Sequence, residues 1–349
     1  MSSLDAVRDL VMRYGWNAMA FQIVNRGIEH WFSERGDAVI GYARAAGTRV
    51  VAGAPVCAGN ASPKSLTSGS ATPRWPRSAS ATSVRPVACS MSSASCLRIR
   101  SSCSARNRCG TRTHGQTWCR ITARCAQLHR AANKQVRIDE WPIERATRHP
   151  ELQHILDAWL DTRGLPSMHF MVEPQTLDRL EGRRVFVATR EGAVVGFVVA
   201  SPVPSRCGWL TEQFVRAPGA PNGTIELLLD FAIRRFASEG AEYLTMGLVP
   251  LAEHNWDPHR YSPTWLRWTM RAARKFGRRF YNFEGLDSFK SKLRPDDWEP
   301  IYAISNEAHF SPRMIWAIAS VFAAGSPIGL VARGAFRLAK QRTKTVTPS

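Results

Sequence analysis

Acidic residues are scarce in this chain and unevenly distributed. The sequence has 47 Lys and Arg against 28 Asp and Glu, a formal net charge of +19. No Asp or Glu occurs between Asp37 and Asp139, and residues 59–125 contain 14 Ser, ten Arg and one Lys. A strongly basic chain generally indicates a polyanionic partner such as nucleic acid or an anionic membrane. Here, however, +11 of the +19 comes from this one segment of unusual composition.

The cysteines and histidines lack the spacing of metal, redox or catalytic-triad sites. Six of the eight cysteines fall within residues 59–125, without a Cys-x-x-Cys pair or paired histidines nearby. We therefore predict no metal site. Residues 1–8 lack the apolar core of a signal peptide, so a disulfide framework is not expected either. His169, His254 and His259 are scattered, and we assign them no role.

Residues 59–125 also lack the apolar periodicity of a helix or a strand. Three interpretations are open: a disordered basic linker, a nucleic-acid-binding insert, or an out-of-frame translation of a GC-rich gene between two compensating frameshifts. We favour the third, because Ser, Arg, Cys and Thr become frequent together while acidic residues vanish. The basic charge of the segment would then not be a selected nucleic-acid-binding surface.

The best-defined pattern is an apolar strand, a glycine-rich turn, an amphipathic helix and a second strand. Residues 209–215 predict the first strand and residues 243–248 the second. Between them an apolar stripe at helical spacing is formed by Ile225, Leu228, Leu229, Ala232, Ile233 and Phe236. Free N–H groups at a helix N-terminus attract phosphate or carboxylate. The turn at residues 216–223 is therefore a candidate anion site.

This layout resembles acyl-CoA transferases of the GNAT type, which place a Gln/Arg-x-x-Gly-x-Gly/Ala loop at this position. The chain has Arg216, Gly219 and then Pro221, which lacks the N–H needed to line a pyrophosphate. The turn is thus GNAT-like in layout and doubtful for coenzyme A. The alternative is that Gly219, Pro221 and Gly223 only shape a strand-to-helix turn.

A second segment carries a more specific resemblance. The run Phe280-Tyr-Asn-Phe-Glu-Gly-Leu-Asp-Ser-Phe-Lys-Ser-Lys-Leu-Arg-Pro-Asp-Asp-Trp-Glu-Pro-Ile-Tyr302 closely resembles the signature of the phosphatidylglycerol lysyltransferase family, also called the multiple peptide resistance factor family. The similarity extends back through Pro221–Glu226 and Tyr243–Leu251. In all it covers residues 126–305 well and residues 14–57 more weakly.

The resemblance implies an α/β protein of two tandem GNAT-like acyltransferase lobes, each a mixed sheet flanked by helices. We predict a partial first lobe, atypical or disrupted, at residues 1–58. The aberrant segment at 59–125 and a catalytic second lobe at 126–310 follow it. Many family members carry an N-terminal multi-span flippase, for which this sequence shows no pattern, so a stand-alone form is implied.

The resemblance also implies an activity, which is transfer of an amino acid, with lysine expected, from a charged tRNA to the glycerol hydroxyl of phosphatidylglycerol. The aminoacyl-tRNA would be a co-substrate, and no cofactor is expected. Two alternatives stay open. One is an acyl-CoA-dependent N-acyltransferase, and the other is a catalytically inactive lipid- or RNA-binding relic.

Site residues follow from the matched motifs. Glu226 matches an acidic position where the family usually has Asp, and we expect it to accept the hydroxyl proton or to bind the aminoacyl ammonium. It could instead only complement the helix dipole. Lys290 and Lys292 are expected on one side of an extended segment, Lys290 in catalysis and Lys292 in substrate binding. Further substrate-binding candidates, able to hold phosphate or to hydrogen-bond, are Arg216, Asn222, Tyr281, Asn282 and Arg294.

The C-terminal region is apolar and basic. Residues 314–332 contain no charge, and they are followed by a tail with Arg333, Arg337 and three further basic residues. Because Gly325-Ser-Pro-Ile-Gly interrupts the helical pattern, we predict a membrane-associating segment at residues 311–349, lying at the cytoplasmic face of an anionic phospholipid membrane. The alternative is a helix packed on the core of the protein. The sequence gives no indication of oligomeric state.

Overall fold

The computed structural model describes residues 3–58, 87–98, 134–163, 166–250, 264–277, 283–293, 295–305 and 310–345. Within these residues the strands form two sheets, one of four strands and one of seven. Helices pack on both sheets. The fold is therefore a mixed α/β architecture.

The smaller sheet lies in the first lobe, after helix α1 (Ser3–Tyr14). Its strands are β1 (Glu29–Phe32), β2 (Ala38–Ala45), β3 (Thr48–Val51) and β4 (Val56–Cys57). Strand β2 pairs antiparallel with each of the others. The turns that join these strands include Gly36 and Gly47, and both glycines have the positive φ that a side chain would disfavour. Val7, Phe21 and Val39 contribute to its buried core, here called the first-lobe cluster.

The larger sheet lies in the second lobe. Its strands are β5 (Val87–Arg98), β6 (Arg137–Trp141), β7 (Arg184–Arg190), β8 (Ala193–Val203), β9 (Gly208–Arg216), β10 (Tyr243–Pro250) and β11 (Asp297–Ser305). They lie side by side in the order β11-β5-β10-β9-β8-β7-β6. Only β9 and β10 run parallel among these described neighbours. A parallel pair needs a crossover connection, which helix α4 (Thr224–Ser238) provides.

Strands β9 and β10 pair only at their beginnings. The register runs from Gly208 opposite Tyr243 to Leu210 opposite Thr245. A Cβ atom on Gly208 would lie 2.3 Å from the Tyr243 carbonyl oxygen, so only glycine allows this approach. Beyond Thr245 a bulge shifts β10 in its pairing with β5, while β9 continues beside β8. The two strands therefore diverge toward their C-terminal ends.

Helices cover both faces of the larger sheet. The predicted apolar stripe of α4 is buried except for the partly buried Ile225, and Leu228 and Phe236 join Phe186 of β7 in one cluster. The short helix α2 (Ile143–Ala146) leads to α3 (Pro150–Asp161), which buries Leu152 and Leu156 on the opposite face. Strands β7 and β8 form a hairpin around Glu191 and Gly192, and the helix predicted between residues 225 and 236 is confirmed as α4.

A buried polar network joins the two lobes. Arg183 and Glu212, whose side chains are 1% and 6% exposed, form an ion pair with Nε and Oε1 3.1 Å apart. The Arg183 guanidinium also donates to Asn25 Oδ1 at 2.8 Å. Asn25 in turn donates to Gln22 Oε1, and Gln22 donates to Ser201 Oγ of β8. The first lobe is thus fixed against the second by charge-assisted hydrogen bonds, which are stronger than neutral ones.

Strand β5 departs from the sequence-based expectation. Residues 59–125 show no strand periodicity, yet Val87–Arg98 pairs antiparallel with both β10 and β11. A strand between two neighbours is held by backbone hydrogen bonds on both edges, so it does not depend on an alternating side-chain pattern. The rest of residues 59–125 lies outside the described residues.

After β10 the described residues add four helices, α5 (Thr264–Gly277), α6 (Phe283–Lys292), α7 (Pro312–Phe322) and α8 (Pro327–Thr345). Helix α7 packs on the protein rather than away from it. Val321 joins the first-lobe cluster, and the Phe322 ring packs edge-on against Phe170 at 5.4 Å. Arg313 donates to the Ala46 carbonyl, between β2 and β3.

These contacts concern only α7, and the predicted membrane association of residues 311–349 stays a prediction. The α7 half of the apolar segment is a core helix, as the alternative interpretation held. In the part of the chain that the structure describes, no single helix is long and apolar enough to cross a bilayer. Helices α7 and α8 pass that test only as a pair bent by 51°.

Candidate functional site

The predicted anion loop lies where β9 ends and α4 begins. Gly223 occupies the N-cap of α4 with φ of +94°, and no side chain caps the helix. Thr224 instead turns inward, and its hydroxyl donates to the Pro221 carbonyl at 2.7 Å. The amides of the first turn have no acceptor within the helix. These amides form the positive end of the helix dipole. That end faces the loop and favours a negatively charged group there.

The structure brings three predicted residues together at this loop. Arg216 is exposed at the end of β9 and donates to Asn222 Oδ1 at 3.2 Å. Glu226 lies in the first turn of α4 and is partly buried. Within the described residues its carboxylate has no hydrogen-bond or ion-pair partner. This carboxylate is thus available to a proton or to a substrate cation.

Lys290 lies elsewhere and is more constrained than predicted. Its side chain is 2% exposed, and its ammonium donates to the carbonyl oxygens of Met246, Gly247 and Leu248 at 2.6, 3.1 and 3.0 Å. An ammonium has three N–H donors, and three backbone carbonyls accept from it here. They belong to the bulge of β10, where Gly247 has φ of +72°. This geometry favours a positioning role for Lys290 over direct contact with a substrate oxygen.

The extended conformation predicted around Lys290 and Lys292 is wrong. Both residues lie in helix α6, where positions two apart point in different directions. Lys290 is buried and Lys292 is exposed as a consequence. The predicted binding residues Tyr281, Asn282 and Arg294 lie outside the described residues.

Helix α6 bridges the diverging strands. Lys290 binds carbonyls of β10, while the neighbouring Phe289 packs against Phe214 of β9 with ring centroids 6.1 Å apart. Leu293, just after the helix, is buried in the same cluster as the α4 stripe. Helix α6 of the matched signature segment therefore contacts both strands where they diverge.

A cavity of about 400 Å³ holds a second titratable pair, which the sequence analysis did not assign. Its lining includes Arg26 of the first lobe and His169, Glu173 and Gln175 of the second. His169 Nδ1 lies 2.8 Å from Oε2 of the buried Glu173. A carboxylate on one imidazole nitrogen orients the ring, and the other nitrogen can then exchange protons. The His-x-x-x-Glu spacing was the available sequence signal.

This cavity is tied to β9. The Gln213 side-chain amide donates to the carbonyls of Glu173 and Pro174, and its own oxygen accepts from Thr176. Within the described residues no group of three or more His, Cys, Asp or Glu could hold a metal ion. The loop beside Glu226 begins where β9 ends, and Gln213 of β9 holds the segment of Glu173. Strand β9 therefore contacts both candidate sites.

Sequence comparison gives one family match. Residues 120–305, slightly more than half of the chain, match the family described as "Phosphatidylglycerol lysyltransferase, C-terminal". This range includes the loop, α4, α6 and the His169–Glu173 pair. No curated protein matches the chain significantly.

Two solved structures are similar over nearly the whole chain. The first is the C-terminal domain of a protein from Agrobacterium fabrum assigned as a lysylphosphatidylglycerol synthetase, with 18% identity and a TM-score of 0.66 over 92% of this chain and 97% of that one. The second is L-PGS from Bacillus licheniformis, with 15% identity and a TM-score of 0.61 over 95% of each chain. At such identities the likeness concerns the fold, and it confirms the predicted tandem GNAT-like architecture.

Proposed function

The chain belongs to the family of phosphatidylglycerol lysyltransferase C-terminal domains. From this premise we propose that it transfers an amino acid, with lysine expected, from aminoacyl-tRNA to phosphatidylglycerol. The observation that carries the proposal is the uncapped N-terminus of α4 with Arg216, Asn222 and Glu226 around it. All of these residues lie within the family match. The reaction takes place at the cytoplasmic face of the membrane, where charged tRNA and the lipid headgroup meet.

The chemistry needs little activation because an aminoacyl ester is already reactive. The glycerol hydroxyl of the lipid attacks the ester carbonyl, and a tetrahedral oxyanion forms. The terminal ribose hydroxyl of the tRNA then leaves and takes up a proton. The protein must orient two large substrates, move one proton and stabilise one negative charge.

The loop supplies groups for each task. Glu226 accepts the proton from the attacking hydroxyl, since its carboxylate faces no other partner among the described residues. The Arg216 guanidinium, held by Asn222, binds a phosphate oxygen. The first-turn amides of α4 face the position where negative charge develops.

The test is reconstitution with defined substrates. Purified protein, lysyl-tRNA and phosphatidylglycerol vesicles should yield lysylphosphatidylglycerol, detected by mass spectrometry of the extracted lipid. Ribonuclease treatment should abolish the product, and free lysine with ATP should not replace the charged tRNA. Other aminoacyl-tRNAs, tested in parallel, would establish the amino acid.

Two variants assign the base. Glu226→Ala should lower the rate at least about 100-fold, the usual contribution of a positioned base. Glu242→Ala, which removes an exposed carboxylate just before β10, is the matched control and should keep full activity. Loss of product in His169→Gln but not in Glu226→Ala would move the proton transfer to the cavity. Product formation independent of tRNA would refute the proposed co-substrate.

A further inference from the structure

Helix α8 presents its apolar side to solvent. Its exposed large residues are Ile328, Val331 and Phe336, at 68%, 48% and 73% exposure. The side facing the protein carries instead the partly buried Leu330 and the buried Gly334. At about 100° per residue the three exposed positions fall within about 140° of the helix circumference. A helix on the surface of a soluble domain ordinarily has the opposite orientation.

The charge of this region has one sign. Residues 310–349 contain no Asp or Glu, and α8 carries Arg333, Arg337, Lys340, Arg342 and Lys344. The side chains of Arg333 and Arg337 are exposed. By spacing, Arg333 and Arg337 lie about 40° apart and away from the arc of Ile328 and Phe336. Over residues 327–337 the helix is thus amphipathic, with an apolar arc next to a basic one.

Helix α7 also exposes one large apolar side chain. Trp316 is 42% exposed, although Ala317 and Val321 of the same helix are buried. The bend of 51° between the helices places α8 at an angle to α7 rather than in line with it. Tryptophan is enriched at the boundary between lipid and water because it has an apolar body and one polar N–H.

We propose that α8, together with Trp316, is a docking surface for an anionic phospholipid bilayer. The helix lies in the plane of the interface, with Ile328, Val331 and Phe336 among the acyl chains and the basic residues on the headgroups. At about 1.5 Å per residue it is about 28 Å long, and it lies along the surface rather than across it. The inference deepens the proposed function by naming the partner surface, and it rests on that function only for the identity of the lipid.

The composition of the arc favours lipid over nucleic acid. Binding of RNA would place the basic side against phosphates and planar rings against bases, and it would leave Ile328 and Val331 exposed to water. A bilayer covers both sides of the helix at once. Anchoring by α7 then holds the catalytic lobes close to the lipid surface, because α7 is packed in the first-lobe cluster.

The experiment measures partition of the full chain onto sedimenting vesicles. The probes are vesicles of phosphatidylcholine alone and of phosphatidylcholine with phosphatidylglycerol. The double variant Ile328→Ser/Phe336→Ser should bind mixed vesicles about 100-fold more weakly. The double variant Arg333→Gln/Arg337→Gln should have an affinity about fivefold lower for each charge removed, and only for the anionic vesicles. Met12→Ser, an exposed apolar residue on α1, is the matched control and should bind normally.

The outcomes separate docking from catalysis. Unchanged vesicle binding by both α8 double variants would overturn the docking surface. The same holds if these variants lose tRNA binding but still bind vesicles normally. Transfer to a water-soluble short-chain phosphatidylglycerol tests the proposed function separately, and the α8 variants should keep it. Vesicle binding through α8 without any transfer would leave the docking inference standing and refute the proposed function.

Discussion

At the scale of single residues, Lys290 shows how a buried cation can serve the backbone. A β-bulge leaves carbonyls of β10 without ladder partners, and a buried carbonyl without a donor is costly. The Lys290 ammonium supplies three donors to three successive carbonyls. The bulge directs β10 away from β9, so Lys290 contributes to the opening at the predicted active site.

Removal of this ammonium is expected to destabilise the protein. Lys290→Met keeps the length of the side chain but leaves the three carbonyls unsatisfied, and it should lower the free energy of unfolding by about 2–3 kcal/mol. Urea denaturation measures the change. Lys292→Met, at an exposed position of the same helix, should have no measurable effect.

This prediction separates two roles. Replacement of a residue that acts only in catalysis leaves stability unchanged or raises it. An unchanged unfolding midpoint for Lys290→Met, combined with lost activity, would therefore restore the catalytic role that the sequence analysis assigned.

The two lysines also show a limit of sequence reasoning at this scale. The pattern Phe-Lys-Ser-Lys fits a strand and a helix equally well. The partners that decide the role of Lys290 are more than 40 positions away in the chain. Arg216 at the end of β9 and Glu226 in the first turn of α4 depend only on a local turn and the adjacent helix, and their roles stay predictions.

At the scale of elements, one ionic cluster fastens the edge of the larger sheet to α4. Arg184 of β7 donates to both carboxylate oxygens of Glu140 on β6 at 2.6 Å, and it also pairs with Glu239 beyond the end of α4. Arg235 of α4 donates to Glu140 at 3.2 Å. Hydrogen bonding from Arg184 holds the pKa of Glu140 below its ordinary value.

A lowered pKa in the folded state gives a defined pH dependence. Glu140 stabilises the fold above the ordinary pKa of a glutamate, and this contribution is lost as the pH falls through the lowered value. At neutral pH Glu140→Gln should cost about 1 kcal/mol, because the pair is partly exposed and screened. Thermal unfolding at a series of pH values should show the gap between wild type and variant closing below about pH 5.

The exposed carboxylate of Glu144 on α2 provides the comparison. The difference in thermal stability between Glu144→Gln and wild type should stay constant across the same pH range. A Glu140→Gln gap that stayed constant with pH would mean that the ion pairs contribute nothing and that only packing was lost.

Elements with a regular apolar periodicity in their own sequence were predictable. Elements that depend on contacts with distant parts of the chain were not. The stripe of α4 and the hairpin of β7 and β8 follow from spacing and turn residues alone. Strand β5 does not, since its neighbours on both edges come from distant parts of the chain. The separation of α7 from α8 likewise depends on which half of an apolar run meets the first-lobe cluster.

At the scale of the whole molecule, the contact between lobes depends on Arg183. Arg183→Met would leave Glu212 charged, buried and unpaired, and would also remove the donor to Asn25. We expect a loss of about 3–5 kcal/mol in the free energy of unfolding, the usual effect of breaking a buried pair. Chemical denaturation measures it.

A double variant tests whether the cost comes from the ion pair. Arg183→Met/Glu212→Gln removes the orphaned charge, so it should recover part of the stability lost in the single variant. Additive losses in the two single variants would instead show that Arg183 and Glu212 stabilise the fold independently.

The order of the chain has a consequence for synthesis. The first lobe leaves the ribosome before the second, but Phe170 and Val321 complete its core. About 260 further residues, from Val56 to Val321, must therefore be synthesised before the last apolar contacts of the first lobe can form. During that interval part of the apolar surface of this core stays uncovered, and the helix that finally covers it, α7, is the one that precedes the basic C-terminal tail.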